Sequence, residues 1–269
     1  MSRVLRTVVR DCLYVNWAFP VDTLPALPEP LRYEEKLQDG IRYGFVSALL
    51  FRHEHLHLAG LPFLRLSYPQ FNLRLYVRDH EGVPSVFFQR ILVPGWVVPS
   101  ARWVAHQPAQ AAQFSYPRPF VDDNDGQWRW QVVREEALCV SATKAPPQTY
   151  SGPALGSWGK TVDFFRQRFR GYVLSSGELQ PVETSQQSVQ LWPLQASVED
   201  PKLLMDSLKA GELSTWCRPH SAWLCPEVPY EFELSAETVR LSLTRTASPA
   251  AADPAMFQSS PSAARRSAA

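Results

Sequence analysis

The chain has 269 residues, 45% of them hydrophobic and 20% charged, with a net charge of +1. Those are globular values, and they exclude the charge excess of a nucleic-acid binder or of a protein held on an anionic membrane. Its 24 prolines argue against long helices and for short strands joined by turns. Arg3, Arg6 and Arg10 open the chain, but Asp11 interrupts any apolar run before a signal-peptide core could form. The longest apolar run, around 45–51, is too short to span a bilayer, so a cytoplasmic protein is expected. Cys12, Cys139, Cys217 and Cys225 are scattered without a CxxC pair and read as reduced, buried thiols.

In chain order, residues 11–20 read as a first strand and 21–30 as a proline-punctuated connection. Residues 31–38 form a strand ending at the Asp39-Gly40 turn, and 41–58 a long one. The end of that strand, His53-Glu54-His55-Leu56-His57, sets three imidazoles on one face. Side chains two apart in a strand are about 7 Å apart and a zinc–nitrogen bond is about 2 Å, so a third ligand from one strand is hard to bring in. An exposed, edge-like strand end is expected rather than a metal site. After a loop over 59–67, residues 70–78 alternate strictly. Gln70, Asn72, Arg74, Tyr76 and Arg78 share one face; Phe71, Leu73, Leu75 and Val77 share the other. The polar face carries several kinds of hydrogen-bonding group. It suits a wet internal pocket, with an exposed strand face as the alternative.

The chain turns at 80–84 and returns as a strand over 85–94. A short helix or turn falls in 96–106, limited by Pro94, Pro99 and Pro108. Strands are expected at 111–119 and 127–134, about an acidic turn over 121–126 that lacks the distal Glu of a calcium loop. A strand at 137–144 leads into a Pro/Gly/Ser linker over 145–156. The best helix is capped by Ser157 and carries Trp158, Val162, Phe165, Phe169 and Tyr172 on one stripe, with Arg166, Arg168 and Arg170 mostly off it. Strands at 179–184 and 188–198, a helix of about ten residues from Pro201, and a strand pair within 214–235 follow. One domain over 1–245 and a disordered Ala/Ser/Pro-rich tail over 246–269 are expected.

Several of these stretches carry a resemblance. Tyr68-Pro69-Gln70-Phe71-Asn72-Leu73-Arg74-Leu75-Tyr76-Val77 is similar to the F-P-E-L-N-V-R-T-Y-V strand of the uncharacterised YqjF-like family. In the same order, SVFF at 85–88 resembles its G-V-Y-F, Ala101-Arg102 its A-R pair, FFRQRFRGY at 164–172 its L-x-x-R-Y-R-L-Y, and LWPL at 191–194 its P-W-P-L. The matches cover residues 11–235. The resemblance implies an α+β, mainly β chain with the acetoacetate decarboxylase-like fold: an antiparallel β barrel or cone around a small-molecule pocket, with a few peripheral helices. It implies no activity, since none is established for the family.

Enzymes of that fold attack a keto group with a lysine amine, made nucleophilic by a neighbouring cation in a dry pocket. Their motif is G-R-E-x-x-G-x-P-K. The same spacing here runs from Ala101 to Ala109; Arg102 and Pro108 fit, but the nucleophile's position is Ala109 and the next is Gln110. The five lysines are Lys36, Lys144, Lys160, Lys202 and Lys209, far from that position in sequence. Gln70 stands where the strand glutamate belongs, and an amide is neither acid nor base. Schiff-base decarboxylation is therefore not expected. The pocket is what the resemblance leaves. In it Arg74 or Arg102 clamps a carboxylate or similar anion, unless each pairs with acids or carbonyls of the core. Gln70, Asn72 and Tyr76 orient the ligand, and Trp96, Trp103, Phe87 and Phe88 wall its apolar part. The expected ligand is small and partly apolar or anionic. No cofactor, metal, nucleic acid or membrane is expected, and a homo-oligomer is compatible with the fold. The alternative is an enzyme acting on a small organic acid without lysine. His106, beside the displaced lysine position, or Tyr76 would then be its acid/base candidate. A third reading is a structural protein whose interior is filled by its own side chains.

Overall fold

Strand alternation builds this molecule, described by a computed structural model over residues 3–104, 106–116, 127–146, 155–186 and 190–234. In chain order the strands are β1 (Arg3–Pro20), β2 (Arg32–Tyr33), β3 (Lys36–Gln38), β4 (Ile41–Leu58), β5 (Leu66–Arg78) and β6 (Pro84–Val93), followed by helix α1 (Val98–Val104). Next come β7 (Gln110–Ala111), β8 (Gln113–Ser115), β9 (Gln127–Val133), β10 (Ala137–Lys144), α2 (Trp158–Arg166), β11 (Arg170–Ser175) and β12 (Glu178–Gln186). The described chain ends with β13 (Trp192–Asp200), α3 (Lys202–Leu208), α4 (Leu213–Cys217) and β14 (Ser221–Leu234).

The described strands form one 14-stranded sheet. The path β1-β4-β5-β6-β11-β12-β14 returns to its start, because β14 pairs antiparallel with β1 from Arg3↔Leu234 to Asn16↔Ser221. A closed ring of strands results, and closure removes the exposed edges a sheet would otherwise present. At its N-terminal end β14 also pairs with β13, which continues through β10 and β9 to β8 as an open flap. Pairing is antiparallel except between β6 and β11 and between β6 and β7. The fold is thus mainly β with a few short helices, as the resemblance implied.

The wall of the ring has two apolar faces. Outward, Leu13, Val15 and Trp17 of β1 and Leu73 and Leu75 of β5 pack with Trp128 and Trp130 of the flap and Leu208 and Trp216 of the last two helices. Inward, Tyr14, Leu49, Tyr76 and Trp223 pack with Phe165 of α2. Phe165 meets Tyr76 at 4.9 Å and Trp223 at 5.8 Å between ring centroids, and Trp158 meets Trp223 at 5.8 Å. Tyr76 ends β5 while Phe45 and Trp223 begin β4 and β14, so α2 stoppers one end of the barrel.

Two irregularities re-aim side chains. Asp11 has φ 51°, and the β1–β4 register shifts between Arg10 and Leu13. Val9 and Cys12, three residues apart, consequently both face the interior, where an unbroken period of two would aim Asp11. His55 has φ 56°, and the β4–β5 register shifts between His53 and Leu56. This corrects the reading of an exposed, edge-like end. β4 lies between β1 and β5 there, and His53 is buried with Nδ1 at 3.2 Å from Thr7 Oγ1. Of the three imidazoles His55 is exposed and His57 half-buried. Among the described residues no group of three or more His, Cys, Asp or Glu could hold a metal ion.

Other expectations change in detail. β1 starts at Arg3 rather than 11, because Leu5, Thr7 and Val9 alternate inward and both neighbours extend alongside them. The strand expected over 31–38 splits into β2, which pairs with β5, and β3, which pairs with β4. The one expected over 111–119 is, within its described part, the short β7 and β8, and 117–119 lie outside the described residues. The best helix ends at Arg166, so Phe169 and Tyr172 leave its stripe. Gly171 instead pairs with Val86 of β6, so closely that a Cβ on it would lie 2.5 Å from the Phe88 ring. The helix after Pro201 has seven residues, and the strand pair within 214–235 is α4 followed by the single strand β14. The acidic turn at 121–126 and the tail at 246–269 lie outside the described residues, as do 147–154 of the linker. No described helix is long and apolar enough to cross a membrane.

Candidate ligand-binding site

The polar face of β5 turns into the barrel. Gln70 and Asn72 are buried there, and with Arg74 they line an internal cavity of about 50 Å³. Cys12 and Tyr14 of β1, Phe88 of β6 and Tyr230 of β14 share its wall. Arg166 and Arg168, at the end of α2 and just beyond it, complete it from the stoppered side. Between them Arg168 N–H donates to Arg166 O at 2.7 Å, a tight turn that leaves both residues on the wall of one cavity.

Three arginines and no carboxylate line this cavity among the described residues. Arg74 lies over the Phe88 ring at 5.2 Å, and its buried Nε has no hydrogen-bond partner among the described residues. Arg168 is almost fully buried. Its Nη2 donates to Glu34 Oε2 at 2.7 Å and its Nη1 to Gln167 O at 3.0 Å, while its Nε is also without a partner. Its guanidinium stacks over Phe164 at 4.6 Å and Tyr76 at 5.6 Å. Glu34 also accepts from Arg78 Nη2 at 2.8 Å, so one carboxylate faces two cations and the surroundings stay positive. Burial lowers the Arg168 pKa, with Glu34 opposing. Burial raises the phenol pKa values of Tyr14, Tyr76 and Tyr230, the last to about 12, and raises that of the Cys12 thiol well above its usual value. The wall is therefore cationic at its arginines and neutral elsewhere.

A second cavity, of about 310 Å³, adjoins the first at the opposite end of the barrel from α2. Gln70, Gln107 and Phe232 belong to both walls. Leu5, Leu56, Leu58, Leu61, Leu64, Leu66, Tyr68 and Ala101 make most of the rest apolar; His53, His57 and Ser100 are its other polar members. Burial lowers the His53 pKa to about 4, against a hydrogen bond with Gln70 that favours the charged form, so its ring is neutral at physiological pH.

The structure brings together Gln70, Asn72 and Arg74, with Phe88 opposite. Tyr76 is buried behind the cavity, its hydroxyl 2.9 Å from Ser47 Oγ and donating to Phe165 O at 3.2 Å. Arg102 and His106 are not brought to either cavity. Both are exposed, and Arg102 Nε donates to Ala109 O at 3.0 Å. Ala109, at the lysine position, is fully buried among Tyr68, Ile91, Val93 and Val97. None of the five lysines lines either cavity. Trp96 and Trp103 are exposed and Phe87 packs in the outward core, so neither cavity is walled by them. Arg166, Arg168, Gln107 and Tyr230 were missed from the sequence. No local pattern pointed to the first two, because the helix ends in a tight turn between them.

A family model described as "Uncharacterized conserved protein (COG2071)", DUF2071, matches residues 6–229. No curated protein matches the sequence. Among solved structures the chain is similar to an enduracididine biosynthesis enzyme, MppR with HEPES buffer bound, at 12% identity over 88% of this chain and 87% of that one, TM-score 0.55. It is similar to the same enzyme complexed with pyruvate at 13% identity, over 89% and 90% of the two chains, TM-score 0.51. An acetoacetate decarboxylase-like enzyme from Sphingomonas wittichii RW1 matches at 14% identity over 86% and 90%, TM-score 0.50. At such identities these likenesses show the fold alone.

Proposed function

From the premise that this chain belongs to the uncharacterized DUF2071 family and has an acetoacetate decarboxylase-like fold, we propose that it binds a small organic anion inside its barrel, without Schiff-base chemistry. Within that family its motifs resemble those of YqjF-like members. One observation carries the proposal: Arg74, whose buried Nε has no hydrogen-bond partner among the described residues, shares with Arg166 and the Glu34-paired Arg168 an internal cavity whose described wall holds no carboxylate. Bringing like charges together in a low-dielectric interior is costly, and a bound anion offsets that cost. Arginine favours planar, bidentate anions, and the carboxylate is the commonest among small metabolites. One of the similar structures is a pyruvate complex, and the carboxylate is the part of pyruvate that an arginine recognises. The imine step has no amine to start from, because neither cavity has a lysine on its wall.

Thermal unfolding with a panel of monocarboxylates, and with the amides of the same acids, tests this. Ligands that bind only the folded state raise Tm. Carboxylates are expected to raise Tm and amides to leave it unchanged. Arg74→Met is expected to abolish the rise while retaining a cooperative transition. Equal stabilisation of the wild type and Arg74→Met by the carboxylates would overturn the assignment.

A further inference from the structure

We propose that the ligand is an amphipathic monocarboxylic acid, with its carboxylate at Arg74 in the inner cavity and its apolar tail in the outer chamber; this rests on the anion-binding reading above. The two spaces are unlike in size and chemistry. The inner one is about 50 Å³ and cationic, and the outer is about 310 Å³ and lined mainly by leucines. They share Gln70, Gln107 and Phe232 on their walls, which puts them side by side, and the proposed ligand spans that boundary. Gln70 Nε2 donates to Asn72 Oδ1 at 2.9 Å, which ties the amide at the junction to the polar wall of the inner cavity.

A short acid leaves the outer chamber to water against apolar walls, which is the less favourable arrangement. No Asp, Glu, Lys or Arg lines that chamber among the described residues, and its leucine-rich wall disfavours a second charge on the tail. Leu61 and Leu64, from the loop between β4 and β5, face the chamber yet stay well exposed to solvent. Ala101 of α1 lines the same chamber, and its small side chain contributes to the space available. A tail lying against these leucines removes further apolar surface from water. At about 0.8 kcal/mol per buried methylene, each added carbon tightens binding about fourfold.

Titration calorimetry of the full chain with straight-chain carboxylates from acetate to decanoate, and with the 1-alkanols of the same lengths, tests this directly. Affinity is expected to climb about fourfold per methylene and then level off once the chamber is filled. Alkanols are expected to bind at least tenfold more weakly than the matching acids. Ala101→Phe is expected to move the levelling-off to shorter chains, and the wild-type series stands alone if that variant does not fold. Affinity independent of chain length, with short acids still dependent on Arg74, would overturn the tail assignment and leave the anion site standing. Alkanols binding as tightly as acids would overturn the placement of the head. No binding by any acid would overturn both this inference and the anion-binding reading beneath it.

Discussion

Arg74 points into the barrel because its neighbours on β5, Leu73 and Leu75, are fully buried in the outward core, and the pleat sends alternate side chains to opposite faces. The same rule gave the polar face of β5 from the sequence, including Gln70 and Asn72. It did not give Arg102 or His106, which were chosen by motif position. Arg102 lies exposed on α1, and His106, with a positive φ, lies exposed in the turn that follows. Buried imidazoles carry a pH prediction at this scale. Burial lowers the pKa of both His53 and His220 to about 4. In the unfolded chain each titrates near 6.5, so between about pH 6.5 and 4 the unfolded state binds the extra protons. Stability is therefore complete above pH 6.5 and falls as pH drops toward 4, by on the order of 3 kcal/mol for each imidazole. Denaturant midpoints measured across that window should decline, and His53→Asn should flatten part of the decline. A profile in that variant as steep as the wild type's would contradict a neutral, buried His53.

Elements were legible where a pattern of local period also met its partner. Strands β4, β5, β6, β10 and β13 fall close to expectation, as does the start of α2 at the Ser157 cap, which accepts from Lys160 N–H. The end of α2 was not legible. Trp158, Val162 and Phe165 continue with helical spacing to Phe169 and Tyr172, but Tyr172 belongs to β11, which pairs with β6 far upstream in sequence, and Phe169 is exposed just before it. Tyr172 then donates to Asp79 Oδ2 at 3.0 Å instead of extending the helix stripe. Gly171 makes that close approach to Phe88 possible. Gly171→Ala should destabilise the protein by about 1–3 kcal/mol, the usual cost of overpacking. Urea unfolding reads it; an unchanged midpoint would mean that the β6–β11 contact is looser than described.

For the molecule as a whole, closure depends on strands from opposite ends of the described chain. Residues 3–16 pair with 221–234, and neither strand carries a local signal naming the other. The barrel was thus legible only through the resemblance, while alternation supplied single strands. The same closure makes the site: β1, β4, β5, β6 and β14 each contribute to the inner wall, and the end of α2 with the turn after it delivers Arg166 and Arg168 to its floor. The stoppered end is cationic and the opposite end apolar, which gives the interior a direction. A crystal structure of the protein grown with octanoate tests that account most directly. It predicts carboxylate density within hydrogen-bond reach of Arg74 and the alkyl chain passing Gln70 and Phe232 into the leucine-lined chamber. Density confined to the surface near Arg102, or a carboxylate at the chamber mouth with the inner cavity vacant, would contradict it.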